Sequence, residues 1–435
     1  MEKYNFVSFS GIFMLILIAW LFSSDKRNIN WRVILWGVLI QIGIAAFVFI
    51  VPAGTRFFLF LNDAAIKVMG SASAGARFVF GRLALSPGET GEAGETSLGF
   101  ILAFQAFPTI LFFSSLISIL YYFNIMQRVV RAFAYVFTKL MRISGAESLV
   151  TASNIFAGVE SALTVRPYLA KMTRSELCLL LTAGMATVSS NILALYVYSL
   201  KAELPTIAGH LISASLLAAP AAVVMSKVML PEGDSPETLG VHIRPYYERE
   251  SSAFEAVING ANQGLKMIAG IVALLIAVLG LVALFELLLA ALGNRINLAF
   301  GWHFGWSLKE LLGYLFYPLT LIIGIPPSDA GVISKIIAER NIVTEVVAYR
   351  DLAGAISKGL LVHPRSAVIT VYALCGFAHL ASMAIFVGGT AALVPGKTRE
   401  IASVAVRALV AATLACLMTA CVAGTFFGKA SILFG

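Results

Sequence analysis

Long apolar runs, separated by short polar or basic stretches, set the rhythm of this chain. Runs at 7–22, 33–52, 97–124, 177–200, 207–230, 265–292, 367–393 and 401–427 predict eight membrane-crossing helices. Each approaches or exceeds the roughly 17–25 apolar residues that a helix needs to cross a hydrocarbon layer of about 30 Å. Two stretches break the rhythm. Residues 56–82 mix apolar positions with Asn62, Asp63 and Lys67, and 125–142 spaces Arg128, Arg131, Lys139 and Arg142 along one face. Both predict amphipathic helices lying on the membrane surface. A polar loop is expected at 87–96, and an amphipathic lead-in at 254–266 before the sixth span. The outer loop at 301–310 carries Trp302 and Trp306 as interface anchors. Residues 311–324 are apolar but too short to span.

Polar residues at the centre of apolar runs mark two more elements. The stretch 153–174 reads SNIFAGVESALTVRPYLAKMTR, with Asn154, Gly158 and Glu160 inside it and Arg142 and Arg166 on its flanks. About ten residues lie on each arm around Gly158, too few for two crossings at 1.5 Å rise per residue. Basic residues on both flanks place both ends on the cytoplasmic side. A re-entrant hairpin is therefore expected at 146–170, its broken backbone facing a wet cavity. A second is expected at about 330–355, rich in Glu339, Arg340, Glu345, Arg350 and Asp351.

The two halves repeat one pattern. Arg174-Ser175 and Arg365-Ser366 each open an apolar span about ten residues before a small polar break, at 184–191 and 375–382. A hairpin with its own carboxylate, Glu160 or Glu345, precedes each pair. The basic loops 26–32, 128–142, 166–174 and 397–399 all fall on the cytoplasmic side of an eight-span topology with both ends outside. One Arg-Ser pair then lies inside and the other outside, the inverted repeat of alternating-access transporters. Lys335, Arg340, Arg350, Lys358 and Arg365 fall outside, and burial in the second hairpin is the expected reason. The units are 1–96 (N-terminal scaffold spans and surface helix), 97–230 (first transport repeat), 231–250 (hydrophilic linker) and 251–435 (second transport repeat).

Composition sharpens this picture. The 435 residues are 59% hydrophobic and 12% charged, with mean hydropathy +0.89. Soluble domains carry about twice that charge fraction, so the chain is an integral membrane protein. Its net charge of +8 comes mostly from Lys and Arg between spans. That distribution sets topology and contacts lipid headgroups; no nucleic-acid partner is expected. Cys178, Cys375, Cys416 and Cys421 all lie in apolar runs and form no metal or disulfide pattern. Lys26, Arg27 and Arg32 follow the run 7–22, which marks a retained span and not a signal segment. HExxH, Gly-x-Ser-x-Gly and phosphate-loop motifs are missing, so no enzyme and no organic cofactor is expected.

Transport needs groups that hold a polar solute at mid-depth. Glu160 and Glu345 serve as acceptors or proton carriers, or else as carboxylates satisfied by backbone N–H groups at half-helix N-termini. Asn154 and Thr187 offer side-chain oxygens to a sodium ion, or else bond between helices. His379 is either a buried neutral imidazole or a site residue. Phe377 stacks on a planar base or simply packs, and Ser382 is a hydroxyl donor. Glu339, Arg340, Arg350 and Asp351 read as a salt-bridged hairpin rim.

These residues resemble the concentrative nucleoside transporter family. The likeness runs from PTILFF (108–113) through SNIFAG, VRPYLAKMTRSEL, GMATV, NGANQGLKM, LLGYLFYPL, TEVVAYRDLAG, PRS and YALCGFAH to LMTA (417–420). The resemblance implies a homotrimer in the plasma (inner) membrane, with eight spans, surface helices and two re-entrant hairpins per subunit. It implies inward symport of nucleosides with sodium or protons, by a domain that slides like an elevator. Aligned back from Arg166, Glu160 falls on the family's base-binding Glu, Val159 replaces its Thr, and the preceding Gln has no counterpart. Glu345 resembles the ribose-binding Glu, and the motif Phe-x-Asn-x-x-Ser becomes Phe377, His379 and Ser382. Ile192 matches an apolar base contact. Asn154 and Thr187 by side chain, with Ala157 and Val188 by carbonyl, match the sodium ligands. His379 for Asn, with an ordinary pKa of about 6.5, adds a pH-responsive group. The departures fall at the site, so other expectations are a different small polar solute, or a non-transporting scaffold or gate protein with the same fold.

Overall fold

The computed structural model describes residues 3–86, 88–91, 94–247, 250–301 and 305–428. Trp302, Pro87 and the side chain of Val159 lie outside the described residues. The backbone is helical, as a chain buried in lipid must be to satisfy its own N–H and C=O groups. In chain order come α1 (Lys3–Leu21), α2 (Trp31–Phe49), α3 (Pro52–Phe80), the one-turn α4 (Leu102–Gln105), α5 (Phe107–Tyr122) and α6 (Ile125–Met141). The first acidic stretch forms α7 (Gly145–Asn154), a turn and the 3-10 segment Val159–Lys171. Then follow α8 (Arg174–Ala186), α9 (Ser190–Leu200) and α10 (Ile207–Met229). The second half holds α11 (Ala253–Phe300), α12 (Leu308–Ile322), α13 (Pro327–Ile342), α14 (Glu345–Ser357), α15 (Pro364–Leu374), α16 (Leu380–Leu393) and α17 (Thr398–Phe426).

Among the described residues, seven helical segments are long and apolar enough to cross a membrane. The eighth expected span, 367–393, is divided: α15 and α16 are 11 and 14 residues long and meet at Cys375–His379. Gly376 makes this break, with φ +141°, a region that L side chains avoid. The expected span 177–200 is likewise two helices, joined through extended residues at Thr187–Ser189. The two breaks touch. A Cβ on Gly376 would lie 2.6 Å from the carbonyl oxygen of Ala186.

Caps fix where helices begin. Ser144, Thr173, Ser252 and Ser307 each accept from a backbone N–H three residues on, and Pro52, Pro327 and Pro364 open α3, α13 and α15. The expected lead-in and sixth span are one unbroken 48-residue helix, α11. Ser252 starts it, and Asn259, Gln263 and Lys266 interrupt its polarity without interrupting its hydrogen bonds.

α8–α9 and α10 form the centre, each with 89% of its apolar window buried, whereas that of α11 is 0% buried. α1 packs on α17 and α2 on α10, while α5 packs on α11. Gly260 and Gly264 of α11 lie against Ser114, Ser115 and Leu111 of α5, with no room for side chains at the first.

Two buried clusters tie the body together. Lys227 of α10 pairs with Glu147 of α7 and with Glu232, 3.2 Å away, and donates to Ser175 at 2.9 Å. Arg365 donates to the carbonyls of Gly324, Tyr4 and Gly424, to Asn5 Oδ1 at 2.6 Å and to Ser8 Oγ at 2.6 Å. It thereby binds α1, the α12–α13 turn, α15 and α17. The linker crosses the start of α7, where Thr238 accepts from the backbone of Gly145 at 2.8 Å.

The expected burial of all five second-half cations is corrected. Arg340 and Arg365 are buried, but Arg350 and Lys358 are exposed and Lys335 pairs with Glu310 at 2.5 Å. The salt-bridged rim also differs, because Lys309 of α12 pairs with both Glu339 (2.7 Å) and Asp351. A lysine reaching across from the neighbouring helix takes the place expected for the arginines.

Candidate functional site

Half-helices give the site its field. α14 and α16 begin at the site, so their positive ends face it, while α7 and α8 end there and turn negative ends toward it.

At the first pair of ends sits Glu345, the opening residue of α14 and 4% exposed. Its Oε1 accepts from Tyr196 Oη at 2.7 Å, and its Oε2 lies 2.9 Å from His379 Nε2. His379 is the N-cap of α16: Nδ1 accepts from the Ser382 backbone N–H at 3.2 Å. Nδ1 is thus an acceptor, and the proton sits on Nε2, pointing at the carboxylate. Ser382 returns the cap by accepting from the His379 N–H at 3.3 Å, and its own hydroxyl donates to the carbonyls of Phe377 and His379. The expected donor role of Ser382 toward a solute is therefore spent within the break.

Glu160 sits at the start of the 3-10 segment that follows α7, where its Oε2 accepts from the Gly158 N–H at 3.1 Å. A cavity of about 540 Å³ joins these groups. Glu160, Ile192, Glu345, Phe377, His379 and Ser382 all line it, in the size range of small-molecule pockets and with mostly apolar walls. Six of the seven expected solute residues meet there; the side chain of Val159 lies outside the described residues. Glu160 also borders a second cavity, of about 470 Å³, which reaches Arg166 and the linker residues Pro245, Tyr246 and Tyr247.

The second pair of ends brings the 154–157 turn against the break after α8. Ser190 N donates to Phe156 O at 2.9 Å, and Ser215 Oγ of α10 reaches both Ile155 O (2.9 Å) and Val188 O (3.3 Å). Asn154 is fully buried, with Nδ2 on Val150 O and Oδ1 accepting from Ser161. Thr187 donates back to Ala183 O at 2.9 Å, which leaves its oxygen lone pairs available. These are neutral oxygens at two helix C-termini, a set suited to a monovalent cation. No group of three or more His, Cys, Asp or Glu is placed to hold a metal ion among the described residues.

Several residues at the site escaped the sequence reading. Tyr196 holds Glu345 but looks like one more aromatic in an apolar span. Ser189 and Thr344 line the cavity, as do Gln263 and Lys266 of α11. The last two had a visible signal, polar residues one turn apart leading into a long apolar run.

Broken apolar helices, with a mostly apolar-walled cavity between them into which buried carboxylates reach, define a multi-pass membrane protein of the transporter class. The chain belongs to the concentrative nucleoside transporter family, a family of transporters and not of enzymes. Residues 10–83 and 210–424 match the Na+ dependent nucleoside transporter N-terminus and C-terminus, and residues 103–203 match a nucleoside recognition domain. The nucleoside permease NupC of Helicobacter pylori is 36% identical over 421 residues, covering 96% of this chain and 97% of that protein. Solute carrier family 28 member 3 of Mus musculus is 33% identical over 434 residues, 97% of this chain and 58% of that protein. The chain thus spans little more than half the length of its mammalian relative. Among solved structures, CNTnw in an inward-facing substrate-bound state has TM-score 0.85 at 32% identity, covering 98% of each chain. A variant of CNTnw in an outward-facing state has TM-score 0.87 at 30% identity, covering 99% of each.

Proposed function

We propose that the protein is a sodium-coupled symporter that moves nucleosides into the cell across the plasma membrane. One observation carries this reading: the buried Glu345 carboxylate, held by Tyr196 and His379, faces a cavity between hairpin tip and broken helices. A carboxylate at such depth is costly unless it serves a solute or ion, and its free lone pairs suit sugar hydroxyls. Family membership and the names of the relatives support nucleosides as the solute. The sodium ion is held by Asn154 and Thr187 side chains with the Ala157 and Val188 carbonyls.

The residues 146–170 and about 330–355 act as re-entrant hairpins. The moving body comprises both hairpins with α8–α10 and α13–α17, and it slides as an elevator against a frame of α5 and α11. α1 and α2, expected above to be scaffold spans, pack on α17 and α10 and on this reading travel with that body instead. Three copies assemble through the frame, which accounts for the outward apolar face of α11. The second cavity, between Glu160 and the linker, is the exit to the cytoplasm.

The test is uptake by proteoliposomes. An imposed inward sodium gradient is expected to accumulate labelled uridine or adenosine, and Glu345→Gln to abolish it. A wild type that neither binds nor accumulates any of a nucleoside panel overturns the proposal and favours a non-transporting protein of the same fold. Proton coupling predicts the opposite ion dependence, namely sodium-independent uptake that responds to His379→Asn.

A further inference from the structure

Four helices of this protein start on a Ser or Thr that caps them, Ser144, Thr173, Ser252 and Ser307. Three others among the described residues start on residues of the same kind whose side chains do not cap, Thr206 before α10, Ser189 before α9 and Thr344 before α14, and of these Ser189 and Thr344 stand at the site. Ser189 and Thr344 are buried, at 1% and 7% exposure, and neither of these two hydroxyls has a hydrogen-bond partner. Both line the 540 Å³ cavity. An unpartnered buried hydroxyl is costly, and a residue that forgoes its cap to face a cavity is kept for what enters it.

Their neighbours say what that is. A Cβ on Gly158 would stand 3.2 Å from Glu160 Oε2 and 3.7 Å from Ser189 Oγ, so these two oxygens border the same small space. Thr344 directly precedes Glu345. An ionised carboxylate only accepts, whereas a hydroxyl beside it both donates and accepts. We propose that Ser189 and Thr344 are specificity-determining residues, each completing a carboxylate–hydroxyl pair that reads a solute edge with adjacent donor and acceptor. Glu160 with Ser189 reads the base edge, where N–H or NH2 adjoins C=O or a ring nitrogen. Glu345 with Thr344 reads the sugar hydroxyls. The assignment rests on the nucleoside reading above, and it supplies a hydroxyl where the first hairpin lacks an amide.

The experiment compares initial uptake by wild type, Ser189→Ala and Thr344→Val in sodium-loaded gradients. Solutes are uridine, cytidine, adenosine, inosine, 2′-deoxyuridine and 3′-deoxyuridine. Ser189→Ala is expected to shift the kcat/KM ratio between best and worst bases about tenfold, leaving ribose-to-deoxyribose ratios unchanged. Thr344→Val, of nearly equal volume, is expected to shrink the preference for uridine over a deoxyuridine about tenfold, leaving the base ranking unchanged. Ser189→Thr and Thr344→Ser, which keep the hydroxyl, are expected to keep the wild-type ratios. If either alanine or valine variant lowers all solutes by one factor, or none, that residue is structural and the proposal falls while the nucleoside reading stands. A wild type that moves no nucleoside overturns that reading, and this assignment with it.

Discussion

Glu345 concentrates what single residues do here. Its two oxygens receive Tyr196 and His379 from two different helices, so its direction is fixed before any solute arrives. Hydrogen bonds to a charged group are worth more than neutral ones. Tyr196→Phe is therefore expected to raise the KM for nucleoside at least tenfold (roughly 1.4 kcal/mol) while leaving the half-saturating sodium concentration unchanged. Radiolabelled uptake at varied nucleoside and sodium checks both. Thr187→Val removes one oxygen from the other end of the site. The expected result is the converse, a sodium requirement raised about tenfold with normal nucleoside affinity at saturating sodium. At this scale the sequence showed these titratable members plainly, since Glu160 and His379 stand among apolar neighbours and Glu345 sits in the most polar stretch of the second half. It hid Tyr196, Ser189 and Thr344, because a hydroxyl near a helix end reads as a cap or as packing until the tertiary contacts are known.

Among the elements, the two broken helices matter most, and they meet at their breaks. Gly376 has φ +141° and lies against the Ala186 carbonyl, with Cys416 Sγ 2.7 Å from where a Cβ would stand. Backbone cannot yield as a side-chain tip can. Gly376→Ala is expected to cost about 1–3 kcal/mol or more and to lower the Tm in detergent. Lys227 is the counterpart in the first half, buried between Glu147 and Glu232. Lys227→Met strands those carboxylates, and an expected loss of about 3–5 kcal/mol is measurable by thermal unfolding. The helix breaks were legible from Gly and polar residues in apolar runs, as at Gly376. The continuity of α11 was not, because Asn259, Gln263 and Lys266 look like a boundary in one dimension. They are instead a polar stripe on an unbroken helix, two of whose residues face the cavity. The route of Lys309 to Glu339 and Asp351 was equally hidden, since nothing along the chain joins positions so far apart.

For the whole molecule, the proposed movement changes which side of the membrane reaches the site. All four cysteines are buried, so a single introduced thiol reports with little background. Leu163, 41% exposed, lines the cavity that reaches the linker. A membrane-impermeant maleimide on the cytoplasmic side is expected to label Leu163→Cys, and sodium with nucleoside to change that rate several-fold. An unchanged rate would mean a rigid protein. Hydropathy and basic loops revealed the overall class, an all-helical integral membrane protein, because lipid leaves a backbone few choices. They did not reveal which helices are tied together, since that is written in contacts such as those of Arg365. That guanidinium grips Tyr4, Asn5 and Ser8 as firmly as it grips Gly424. On the proposed division the start of α1 is a passenger: a dye placed at exposed Phe6 would rise and sink once per turnover, and its quenching by lipid-depth probes would count trips.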